Sequence, residues 1–245
     1  MRRAVYAETQ KMTQGRRAPV DAYAELKNGK VSTVAAKKGN QYDVQDLIKQ
    51  FNSQRANGTI RLTTHYTQPL AADSKTVQTE KAKLQTLSKR KVSYTVEKEN
   101  YKFTAADVIT RATYQHGKYN FDTSAVNGRI TKINEKQATL GKAFKFRTHA
   151  GKEITTSDKG SYGWKISEQL AGQSLAHAMA DNKKNVNAKS DIYGIGYNRR
   201  GTGYGVTSNN GIGNTYVELS LADQHVWFYK DGKCVFDADV VTGSN

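Results

Sequence analysis

The spacing of apolar residues changes period several times along the chain, and each change predicts an element. From Val20 to Ala36 short apolar-polar alternation flanks Asn28-Gly29, a pair suited to a tight turn, so two strands form a hairpin there. Asp43 then stands before Val44, Leu47, Ile48 and Phe51, which fall at i, i+3, i+4 and i+7 and predict a capped amphipathic helix. Residues 59–66 (TIRLTTHY) read as strand again, and 75–90 as a surface helix carrying Val77, Leu84 and Leu87. A second hairpin is expected in SYTVEKENYKF, and Thr104 with Asp107 resembles a capping box opening a helix through Ala105, Val108, Ile109 and Ala112. Helical spacing returns at about 123–138 and again through Ile166, Leu170 and the 175–179 stretch. A hairpin with an Ala-Gly turn is expected at 144–156. Hairpin plus helix thus occurs at least twice, and this order favours an α+β fold over a doubly wound parallel sheet.

The ends differ from the middle. The first 16 residues carry several Arg and Lys without periodicity and predict a flexible basic lead-in. Residues 193–213 contain seven glycines among Asn, Tyr and Arg, the composition of a linker. Beyond them, 214–245 gives three alternating runs, with Asp231-Gly232 closing a hairpin between Val226–Tyr229 and Cys234–Phe236. Thirty-two residues with two or three strands cannot cover a core alone, so this segment is expected to begin a domain that the chain does not complete. The expected layout is a lead-in at 1–16, a body at 17–192 of one domain or two units (17–91 and 92–192), a linker at 193–213, and strands at 214–245.

Composition narrows the function classes. The 245 residues carry 38 Lys+Arg against 22 Asp+Glu, a formal charge of +16. The last 32 residues hold five acids and two lysines, so the preceding part carries +19 and calls for a polyanionic partner or environment. One cysteine excludes an internal disulfide framework and a four-cysteine zinc site. No run of 18 apolar residues, the length needed to span a bilayer, occurs in the chain, and Met-Arg-Arg runs straight into polar sequence rather than a signal peptide.

Candidate chemistry is sparse. Gly196 to Gly201 has phosphate-loop glycine spacing, but Thr202 occupies the place of the required lysine and no strand-loop-helix frame surrounds it. Cys234 could be a nucleophile, yet it sits two residues past a hairpin turn with His225 on the other strand and no third group evident, and reads as a strand residue. The five histidines show no metal-ligand spacing, so no metal and no cofactor is expected. Tyr162 and Trp164, flanking Gly163, are the candidate ligand contacts, because aromatic faces suit the apolar face of a pyranose. For Trp164 a core position at a turn is the favoured reading. The basic run from Lys81 to Lys91 reads as a solvated helix face or a polyanion contact.

The C-terminal run resembles the opening strands of an L,D-transpeptidase catalytic domain. The matching residues are Tyr216-Val-Glu218, Gln224-His225-Val-Trp227, Tyr229-Lys-Asp-Gly-Lys233 and Val240-Val-Thr-Gly243. Upstream, Phe146, Thr148, Gly151 and Tyr162-Gly163-Trp164 resemble the peptidoglycan-binding domain that precedes it in Gram-positive members. Over 20–140 the resemblance rests on layout alone. It implies a bacterial surface protein outside the membrane, associated with peptidoglycan and anionic wall polymers, whose parent carries an N-terminal membrane helix and cross-links stem peptides through a cysteine acyl-enzyme. The family's Ser/Thr-His-Gly-Cys motif does not occur, so no catalytic residue carries over, the chain is expected to be inactive, and it is expected to stop inside the catalytic domain. A spacer with no ligand is the alternative. A nucleic-acid-binding protein is a more distant one: +16 with interleaved tyrosines would permit it, but no recognition motif supports it and no nucleic acid is expected as a partner.

Overall fold

Thr9 and Thr13, one helical turn apart, are buried near the start of the chain, with their hydroxyls donating to Tyr6 O and Gln10 O. They belong to helix α1 (Arg2–Thr13), where a flexible lead-in was expected. Among the described side chains of this helix the buried ones are threonines, which a hydropathy pattern counts as polar and so gives no helical period. The computed structural model describes residues 2–56, 58–195 and 198–243. They form an α+β protein in two units, one made of 1–90 with 109–122 and the other of 91–108 with 123–245.

In the first unit β1 (Tyr23–Lys27) and β2 (Lys30–Val34) pair antiparallel. Asn28 (φ 48°) and Gly29 (φ 77°) are both left-handed, as a type I′ turn requires. Helix α2 (Val44–Gln54) starts where expected, with Asp43 accepting the Asp46 amide at 3.0 Å. Helix α3 (Lys75–Ser88) lays Val77, Leu84 and Leu87 on β1 and β2, all three fully buried. Each such side chain contributes on the order of 1.5–3 kcal/mol. Glu80 lies on the same stripe and accepts the Ala24 amide at 3.1 Å.

Residues 59–66 are extended but form no strand. Their partner is a row of side chains on α2. The Arg61 amide donates to Gln54 and the Gln54 amide returns the bond to the Arg61 carbonyl, both at 2.9 Å. Gln50 does the same to Thr63 (2.8 and 2.9 Å), and Asp46 meets His65 Nδ1 at 2.7 Å. The helix offers a side chain about every 6 Å at i, i+4, and the extended chain repeats about every 6.6 Å at i, i+2, so the two registers run together.

The chain then enters the second unit with β3 (Lys91–Val96) and β4 (Glu99–Thr104), the expected hairpin. The helix after it, α4, spans only Ala105–Val108. Ala112, expected on that helix, lies in β5 (Arg111–Gln115), which pairs with β1 and, through a His116-Gly117 turn, with β6 (Lys118–Asp122). The sheet order is therefore β2-β1-β5-β6, and 109–122, expected within the second unit, completes the first. Ala112 is buried beside Leu26 in register, so the edge of β1 outweighed the helical spacing.

Back in the second unit, a 3₁₀ turn at Ser124–Val126 leads into α5 (Asn127–Gln137). The β7 (Lys145–Arg147) and β8 (Glu153–Thr155) hairpin follows, then β9 (Lys165–Ile166) and α6 (Glu168–Ala180), capped by Ser167. Strand β10 (Asn185–Asn187) joins β3 in parallel at the sheet edge, and β11 (Ile192–Tyr193) pairs with β9. Asn134 of α5 extends β9 sideways: its amide group both donates to Ile166 O (2.9 Å) and accepts from Ile166 N (2.8 Å). The final meander is β12 (Tyr216–Ser220), β13 (His225–Lys230) and β14 (Lys233–Asp239), in that order.

Candidate binding cleft

In the second unit a cleft of about 1030 Å³ lies between the β7-β8 hairpin and the meander. The hairpin contributes alternate residues, Phe144, Phe146 and Thr148 from one arm and Lys152, Ile154 and Thr156 from the other, so it presents one face. The meander contributes the consecutive residues 215–223, which places the cleft along the unpaired edge of β12.

Side chains join the two walls. By register Tyr216, Glu218 and Ser220 share a face with Tyr229, Trp227 and His225. Tyr216 stacks on Tyr229 (4.6 Å, 13°), and Phe146 meets Tyr216 edge-on (5.7 Å, 85°). His149, at the hairpin tip, stacks on Trp227 at 4.5 Å and 12°, with its Nδ1 2.7 Å from the Tyr229 hydroxyl. The His149 amide forks onto both Glu218 oxygens at 2.8 and 2.9 Å. Burial, with the neighbouring Glu218 and Cys234, raises the pKa of Tyr216, and the same causes together with Tyr216 raise that of Tyr229, so both phenols stay protonated through neutral pH. The cleft therefore offers aromatic faces and hydroxyls.

The two aromatic residues proposed from sequence have different fates. Trp164 is 1 % exposed and packs edge-on against Tyr204 (4.9 Å, 83°), so its ring cannot stack on a ligand. Its indole Nε1 has no hydrogen-bond partner among the described residues. Tyr162 is half-buried, lines the cleft beside Phe144 (5.4 Å), and donates its hydroxyl to Gly211 O. Gly163 between them has φ 117°, and a Cβ there would stand 2.5 Å from Leu140 N. The motif is thus a close chain crossing with a core tryptophan.

The glycine-rich stretch, expected as a linker, is folded onto that motif. Thr202 donates to Gly163 O at 2.9 Å, and the Gly205 amide reaches Glu97 Oε1 at 2.9 Å. The Glu97 amide in turn donates to the Tyr204 hydroxyl at 2.9 Å. Of the phosphate-loop spacing, Gly196 lies outside the described residues.

Cys234 is exposed on β14 with its Sγ 3.5 Å from Phe236 O. His225 is held instead by Asp239 (2.7 Å) and Asp237 (3.4 Å). Among the described residues no group of three His, Cys, Asp or Glu could hold a metal. Sequence reasoning missed His149, whose partners lie 69 and 80 positions away; no local spacing signals it.

No protein-family model matches the chain, and no curated protein matches it. Among solved structures it is similar to a cysteine-to-serine mutant of the Enterococcus faecium L,D-transpeptidase, with 25% identity, a TM-score of 0.40, and coverage of 66% of this chain and 61% of that one. It is also similar to the Ldtfm–avibactam carbamoyl enzyme, at 26% identity and TM-score 0.40, covering 66% and 60%. The chain therefore spans less than two thirds of the length of the solved structures to which it is similar.

Proposed function

We propose that this chain is the non-catalytic, peptidoglycan-associated portion of an L,D-transpeptidase-type protein. The observation that carries the reading is the cleft beside β12, walled by Phe144, Phe146, Tyr162 and Trp227 and interrupted by hydroxyls. Such a lining suits an amphipathic polymer with sugar faces and polar substituents. The strands beside it are those that carry the L,D-transpeptidase resemblance, Tyr216-Val-Glu218 and Gln224 to Lys233. The charge of +16 adds a long-range, salt-screened attraction to anionic wall polymers.

On this reading the full protein acts outside the membrane, is anchored by an N-terminal helix, and cross-links stem peptides through a cysteine acyl-enzyme located elsewhere. Cys234 has no part in it. The purified chain is expected to sediment with isolated Gram-positive sacculi at physiological salt, and Phe146→Ala with Trp227→Ala is expected to reduce that fraction severalfold. Absence of retention would favour a spacer that binds nothing.

A further inference from the structure

A second pocket, of about 530 Å³, lies in the same unit on the outer side of α6. Its floor is Asp191, 1 % exposed, and three hydroxyls converge on that side chain. Tyr94 donates to Oδ2 at 2.7 Å, while Ser174 and Ser190 donate to Oδ1 at 2.6 and 3.0 Å. The protons of Ser174 and Ser190 are thereby committed inward, and both oxygens can act toward the pocket only as acceptors. Asn187 is fixed in the opposite sense, since its Oδ1 accepts the Lys189 amide at 2.9 Å and leaves its NH₂ as a donor.

One wall is the consecutive run 185–187, which is β10 seen along its free edge. Lys184 O receives the Ser93 amide at 2.8 Å, so alternation turns the backbone groups of Asn185 and the Asn187 amide away from β3, while the Asn187 carbonyl caps the 3₁₀ turn at 188–190. Ala178 and Val186 supply an apolar patch beside these polar groups. The one lysine at the rim, Lys183, pairs with Asp181 at 3.3 Å. Beside this paired lysine and His177, the lining offers fixed acceptors, a fixed donor, a peptide edge and a small apolar patch.

We infer that this pocket binds a neutral N-acetylated saccharide. The acetamido group takes the β10 edge as a peptide would, its methyl rests on Ala178 and Val186, and ring hydroxyls donate to Ser174 and Ser190. The assignment rests on the wall-associated reading for its biological ligand but on a different surface from the β12 cleft. It separates the anionic attraction, carried by the charge of residues 1–213, from glycan recognition at one place.

The probe is the N-acetylglucosamine tetramer, titrated into the whole chain by calorimetry with amide NMR shifts. Binding is expected at 185–191, with an affinity unchanged between about 50 and about 500 mM salt. Asn187→Ala and Ser190→Ala are each expected to weaken it by about fivefold or more. A thermal melt within a few degrees of the parent confirms that these variants fold. No saccharide binding, binding unaffected by either variant, or shifts at 185–191 produced by poly(glycerol phosphate) instead would each overturn the assignment. If sacculus retention persists while the saccharide does not bind, only the pocket assignment falls. If both fail, the wall-associated reading falls with it.

Discussion

Gly201 sits where the folded glycine-rich stretch presses on Trp164. Its φ is 78°, and a Cβ there would lie 2.7 Å from Trp164 Cβ. Two penalties coincide, a left-handed backbone and a clash with the Cβ and Cα of a fully buried residue, so Gly201→Ala is expected to destabilise the second unit by about 2 kcal/mol or more. A urea titration followed by tryptophan fluorescence measures it, and an unchanged midpoint would contradict the packing described. Gly15 has a similar φ of 75° and nothing within 4 Å of its Cβ position, so Gly15→Ala separates backbone strain from steric clash. Composition places Gly201 in a loop; only tertiary contact distinguishes it from Gly15. That is why the stretch from 193 to 213 read as a linker.

At the scale of elements, the hairpins were the most legible part of the fold. Asn28-Gly29 and Asp231-Gly232 carry their turn chemistry locally, and each closed the hairpin expected of it. Elements whose partner is remote were not legible. The extended run 59–66 is satisfied by Gln50 and Gln54 side chains on a helix, an arrangement that no strand pattern encodes. Helix α4 was foreseen at its start but not at its end, because the start is fixed by Thr104 and Asp107 and the end by the pull of β1 on Arg111–Thr113.

The α4 cap also makes a pH prediction. Burial acts to raise the Asp107 pKa, but the Thr104 hydroxyl and amide, both at 2.7 Å, and Arg129 at 2.9 Å outweigh it and hold it below the ordinary 3.8. A depressed folded value means the stabilisation is present above about 3.8 and is lost as pH falls through the lower folded value. The acid limb of a melting-temperature profile is expected to flatten in Asp107→Asn, with a smaller effect at neutral pH than Arg129→Ala produces. Arg129 also donates to Lys102 O and covers the Phe103 ring at 4.2 Å, so its loss removes more than one contact.

For the whole molecule, the sequence suggests contiguous bodies meeting at 91–92, whereas the chain divides after 90 and 109–122 returns to the first unit. A fragment of 1–90 lacks β5 and β6 and leaves the β1 edge bare, so it is expected to show no cooperative thermal transition. A fragment of 1–122 restores both strands and is expected to melt cooperatively, with dispersed amide resonances for 23–34. Equal behaviour of the two fragments would mean that β5 and β6 contribute little. The candidate site was legible only in part: Tyr162 lines the cleft, but His149, Glu218 and Trp227 meet through a fold that joins positions about 70 residues apart.

The chain leaves its first unit after 90, returns at 109 and leaves again after 122. A single recombination breakpoint anywhere before 122 divides the first unit, and one placed after it carries off β3, β4 and α4 of the second. Neither unit can therefore be exchanged as a separate cassette by one crossover. A crossover within 91–122 breaks both units and one elsewhere breaks one of them, so a lineage that keeps one fold intact also keeps strands of the other.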